Sequence, residues 1–178
     1  MRVLFLALAF VFVNQFGIAQ NLPTVACAAG LSPKDCDLGK ATVRLALRQL
    51  DVPFPEWRWV AVPSSSWEAV SRSLRSNPNA PAFTLLEAHT TYIQYSLIHE
   101  SPADKEALLK YTKRSGIDRL RWVLAHESGH IFCDTRDERK AEDTGKLLEF
   151  GSRKNRTYSR LCGGKHGADL TVAEGTVR

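Results

Sequence analysis

The chain has 178 residues, with 24 Lys+Arg against 19 Asp+Glu, 44% hydrophobic and 24% charged residues, and four cysteines. That balance is that of an ordinary globular protein and excludes a disordered, collagenous or coiled-coil chain. The length suits one domain around a single core and is too short for an enzyme with a separate cofactor domain.

Met1-Arg2 gives a positive start, and Val3 to Val13 is an unbroken apolar run. The run is too short for a bilayer, which takes about 20 residues. Gly17 and Ala19 supply the small residues of a cleavage site, so residues 1–19 read as a secretory signal and the mature protein as secreted or periplasmic, with no membrane contact after removal. A lipidated Cys27 is the weaker reading, because Thr24 stands where such signals carry Leu. In an oxidising compartment an even set of thiols ends as disulfides. The spacing favours Cys27 with Cys36 and Cys133 with Cys162; no CxxC pair is present.

After this cysteine loop, Asp37 to Leu50 has apolar residues at helical spacing, with Asp37 as the expected N-cap. Pro53 and Pro55 stop it. Trp57 to Pro63 alternates as a strand does, and Ser64-Ser65-Ser66 leads into a second helix over Trp67 to Leu74. Asn77 to Pro81 is a turn cluster. Ala82 to Ile98 alternates and is rich in Thr, Tyr, Ile and Leu, the pattern of two short strands or one hairpin. A third helix is expected from about Pro102 to Lys113. Basic residues gather around Lys110 to Arg121 and Arg153 to Arg160 without interleaved aromatics, so a solvated face is expected there and nucleic acid is not an expected partner. Asn155-Arg156-Thr157 is a glycosylation sequon, meaningful only where the source glycosylates.

The next helix, opening at Asp118, carries His126-Glu127-Ser128-Gly129-His130, an HExxH motif. Residues four apart on a helix share a face, so both imidazoles can converge on one ion at roughly 2.0–2.1 Å. Glu127, beside the first, can hold a zinc-bound water, take its proton during attack on a carbonyl and hand it to the leaving amine. Random placement of the chain's five His and ten Glu would give this spacing roughly once in 150 chains. Ile117, Leu120, Val123, Leu124 and Ile131 form an adjoining apolar stripe.

These residues resemble the zincin metallopeptidases. The resemblance covers roughly Ala82 to Phe150 and implies a compact α+β domain in which a small mixed or antiparallel sheet packs on the HExxH helix, followed by a second helix. It implies His126 and His130 as zinc ligands and Glu127 as general base. In the gluzincin branch a glutamate on the following helix is the third ligand. Glu138-Arg139-Lys140-Ala141-Glu142-Asp143-Thr144-Gly145 is similar to the branch's ExxADxxG pattern, with Glu142 in place of Asp. Helical phase puts Glu138 first and Glu142 second as third ligand, followed by Asp134, Asp137 and His166. Thr135 to Glu138 also reads as a capping box in which Glu138 would reach back to the backbone. If Glu138 is the ligand, Glu142 orients a ligand histidine. Cys133 as a thiolate ligand is the lesser alternative to a disulfide.

Zincins hold an extended substrate along a sheet edge, and Ala82 to Ile98 occupies the place of that strand. His89 and Tyr92 there are oxyanion candidates against a plainer role as strand residues. The resulting layout is a signal over residues 1–19, one zincin-like domain over 20–162 and a tail over 163–178. The expected activity is zinc-dependent hydrolysis of peptide or protein substrates. The alternative is a non-catalytic secreted binding or structural protein that keeps the metal site. Oligomeric state and substrate preference have no signature in the chain.

Overall fold

A computed structural model describes residues 23–52, 54, 56–100, 114–151 and 162. The signal at 1–19, the helix expected from about 102 to 113, the sequon at 155–157, His166 and the tail at 163–178 lie outside the described residues.

The described residues build an α+β fold of four strands and four α-helices. The strands are β1 (Thr24–Cys27), β2 (Arg58–Val62), β3 (Ala82–Leu85) and β4 (Thr90–Gln94), arranged in the order β1-β2-β4-β3. β2 runs parallel to both β1 and β4, whereas β3 is antiparallel to β4. The sheet is therefore mixed. A 3-10 turn over Leu86–Ala88 makes the β3–β4 connection, with His89 in the left-handed region at φ 46°.

Helix α1 (Pro33–Leu50) links β1 to β2. It starts four residues before the expected Asp37. Ser32 is the N-cap, its hydroxyl accepting from the Asp35 N–H, and Pro33 occupies the first turn, where its missing N–H costs nothing. The expected N-terminal loop is thus a strand plus a helical turn, joined by the Cys27–Cys36 disulfide. Helix α2 (Ser64–Ser73) also starts earlier than expected. Pro63 is its N-cap, and the three serines form its first turn instead of preceding it.

Alternation divides the sheet into two faces. Val25, Trp59, Ile93 and Ala82 point to the side of α1 and helix α3 (Gly116–Cys133), where Leu47, Leu120 and Leu124 are fully buried. Each such leucine contributes about 1.5–3 kcal/mol by leaving water. Val60, Val62 and Phe83 point to the other side and pack on Trp67 of α2. Ile117, expected in the apolar stripe, sits in the first turn of α3 and is 39% exposed.

Helix α3 ends at Asp134, which adopts φ 43°, and the chain returns as α4 (Glu138–Phe150). The two helices pack closely because small residues face each other. A Cβ at Gly129 would run into the Ala141 carbonyl, and one at Gly145 would lie 2.9 Å from the His126 backbone nitrogen. The second disulfide, Cys133–Cys162, anchors the end of α3. Among the described residues, no helix is long and apolar enough to cross a membrane.

Candidate metal centre

His126 and His130 sit one turn apart on α3, with rings 4.9 Å apart and nearly perpendicular. The return of the chain through Asp134 brings the first turn of α4 alongside them. His126 Nε2 lies 3.2 Å from His130 Nε2 and 3.1 Å from Glu138 Oε2, and His130 Nε2 lies 3.7 Å from the same oxygen. These three residues form a set that can hold a metal ion.

Glu138 is available because the expected capping box does not form. Asp137 is the N-cap of α4, its Oδ1 accepting from the Lys140 N–H, while the Thr135 hydroxyl accepts from the Asp137 N–H. An aspartate directly before the helix captures the orphan N–H, and Glu138 faces the histidines with a side chain that is 78% exposed.

The far nitrogens of both rings are also held. His130 Nδ1 lies 2.8 Å from the Thr135 carbonyl oxygen, and His126 Nδ1 lies 3.2 Å from Glu142 Oε2. A carbonyl and a carboxylate only accept, so a proton on each Nδ1 satisfies both partners, and this tautomer is the one that turns the Nε2 lone pairs towards Glu138. In that tautomer two imidazole lone pairs and a carboxylate oxygen converge, an arrangement that a cation between them would stabilise. Glu142 thus contacts His126 at the nitrogen facing away from Glu138, and Lys146 pairs with its other oxygen at 3.3 Å. Asp134 and Asp137 serve the turn and the cap.

Glu127 lies on the buried side of the same turn, 4% exposed, and accepts a 2.7 Å hydrogen bond from the Thr84 hydroxyl on β3. Burial pushes its carboxyl up to about 7; the Thr84 hydrogen bond and nearby His130 pull it down, and the Glu138 charge adds to the rise.

A cavity of about 880 Å³ opens along the β3 edge of the sheet beside α3, with His126, Glu127, His130 and Glu138 in its wall. Trp122, Phe83, Leu85 and Leu74 give it apolar lining, and an ion pair between Arg136 and Glu87 joins its two sides. His89 and Tyr92, the oxyanion candidates, do not line it. His89 stacks on Trp57, and Tyr92 stacks on Phe83 on the opposite face of the sheet. Thr84 is the residue at this site that the sequence did not single out. Its only signal is a strand position, and its partner lies 43 residues away.

No known protein family, curated protein or solved structure matches the chain.

Proposed function

We propose that this protein is a secreted zinc-dependent peptidase of the zincin type, in which His126, His130 and Glu138 hold the ion and Glu127 is the general base. The observation that carries the reading is the convergence of three potential donor atoms, with an acceptor beside each Nδ1 on the far side of the rings. The edges of a tetrahedron around zinc with bonds of 2.0–2.1 Å are about 3.3 Å long, close to the observed 3.1, 3.2 and 3.7 Å. Two imidazoles and one carboxylate are the ligand set of catalytic zinc, and no fourth side chain joins the cluster among the described residues. Zinc in such a site polarises a carbonyl and lowers the pKa of water.

The chain's own residues supply the rest. Strand β3 is an edge strand along the cavity, so its outward N–H and C=O groups can pair with an extended peptide and lay a scissile amide across the cluster. Glu127 takes a proton from the attacking water as its oxygen bonds to the carbonyl carbon, then delivers that proton to the amine nitrogen as the C–N bond breaks. Glu142 and the Thr135 carbonyl hold the far nitrogens of the two rings and would thereby keep their Nε2 atoms available to an ion. The two disulfides support export to an oxidising compartment.

The test is elemental analysis of the purified protein with a peptide-hydrolysis assay. One zinc per chain is expected, with hydrolysis in the wild type and loss of turnover but not of zinc in Glu127→Gln. Full activity in that variant removes Glu127 from its role. Zinc bound without any hydrolysis assigns the non-catalytic binding function, and absence of metal overturns both.

A further inference from the structure

Glu127 stands at one end of a line of side-chain hydrogen bonds that crosses the sheet. The Trp57 indole donates to Thr91 Oγ1 at 3.0 Å, Thr91 Oγ1 and Thr84 Oγ1 are 2.8 Å apart, and Thr84 donates to Glu127 Oε2 at 2.7 Å. The fold sets this line up through register. Thr84 and Thr91 are directly paired on β3 and β4, and Trp57 immediately precedes β2, which pairs with β4 on the other side. All three side chains lie on the face that meets α3.

The ends fix the direction. An indole N–H only donates, and Glu127 in the ionised form that acts as a base only accepts. Each hydroxyl between them has one proton to give, so donation runs from Trp57 to Thr91, from Thr91 to Thr84 and from Thr84 to Glu127. Thr91 is fully buried, so no solvent competes for its proton, and Glu127 Oε1 has no hydrogen bond among the described residues. One carboxylate oxygen is thus tied down while the other is left to the cavity.

We propose that Trp57, Thr91 and Thr84 are positioning residues that lock the Glu127 side chain in one rotamer, with Oε2 anchored and Oε1 presented to the reacting atoms. Burial alone cannot do this, because a glutamate has three rotatable bonds and the cavity beside it is open. A carboxylate caught by a hydroxyl that is itself oriented from the far side of the sheet has one place to be. The catalytic consequence rests on the hydrolytic reading given above, but the positioning itself does not.

The closing experiment therefore has two arms. In crystal structures, Thr84→Val, which keeps the side-chain shape without the hydroxyl, is expected to release the Glu127 carboxylate from its wild-type position. Thr84→Ser is expected to restore it. A carboxylate that stays within about 0.5 Å of its place in Thr84→Val overturns the proposal. In kinetics, Thr84→Val and Thr91→Val are expected to lower kcat roughly 10- to 100-fold, with KM and zinc content unchanged, as a misplaced catalytic group does. Trp57→Phe, which removes only the remote donor, is expected to give a smaller loss of the same kind. Equal kcat in all three variants, or a loss in KM alone, also overturns it. A wild type that hydrolyses nothing defeats the hydrolytic reading and leaves the crystallographic arm to decide. Should Thr84→Val not fold, Thr91→Val answers the same structural question.

Discussion

Glu138 and Glu142 touch the same ring from opposite ends, and their contributions to metal binding should differ in kind. Glu138→Ala removes a donor atom and is expected to abolish stoichiometric zinc binding. Glu142→Ala leaves the donors intact and frees the His126 ring, so a 10- to 100-fold weaker affinity is expected by competition with a chromophoric chelator. Equal losses in both variants would contradict the assignment of Glu142 as an orienting group. Gly145 is the more remote test of the same geometry. A methyl group there meets the His126 backbone at 2.9 Å and must push α4 away, taking Glu138 and Glu142 with it. Gly145→Ala is expected to cost about 1–3 kcal/mol in denaturant unfolding, as overpacking does, and to weaken zinc binding in the same protein. That His126, His130, Glu138 and Glu142 come together was legible because helical periodicity converts spacing into shared faces; Glu127 was named from the motif alone. Thr84 was not legible, since its contact with Glu127 depends on which strand lies beside α3, and no local pattern encodes that.

At the level of elements, helices and strands declared themselves through periodicity, while their ends depended on individual caps. Ser32 and Asp137 took the roles expected of Asp37 and Thr135, because in each case the residue directly before the first helical turn captured the free N–H. β1 was missed altogether: four residues carry too little alternation, and it becomes a strand only by pairing with β2. The two disulfides came from spacing and the inferred compartment, and their worth should follow loop length. Chain entropy assigns about 3–4 kcal/mol to a closed loop of the 29-residue separation of Cys133–Cys162 and about 2–3 kcal/mol to the 9-residue separation of Cys27–Cys36. Replacing Cys133 and Cys162 by Ala should therefore destabilise more than replacing Cys27 and Cys36; the reverse order in equilibrium unfolding would show that native packing of the short loop dominates. The first turn of α1 gives a pH signature. Burial pushes the Tyr95 phenol up to about 12, helped by the Asp35 carboxylate that accepts its hydrogen bond at 3.2 Å. A phenol harder to ionise in the fold than in the unfolded chain stabilises below pH 10, and that contribution disappears as pH rises towards 12. Tyrosinate absorbance should thus contain one late ionisation that Tyr95→Phe removes.

For the whole molecule, the site joins two packing units: the α3–α4 pair carries the donors, and the sheet, through β3, carries the partner of Glu127 and one wall of the cavity. A cation held at the joint would bind only the folded state, so on the proposed function stability should rise with zinc concentration and fall with chelator, by about 2.7 kcal/mol at a free concentration one hundred times Kd. The mixed sheet with helices on both faces exceeds what periodicity alone could specify, because strand order is set by long-range pairing. The local conclusion that HExxH and the next helix form one unit did not need that order. The most direct measurement is an anomalous difference map, recorded at the zinc edge, of crystals grown with zinc. One peak is predicted, about 2.0–2.1 Å from His126 Nε2, His130 Nε2 and a Glu138 carboxylate oxygen, with no fourth protein ligand. A peak elsewhere, a peak closed off by four side chains, or no peak between the two rings would contradict the account.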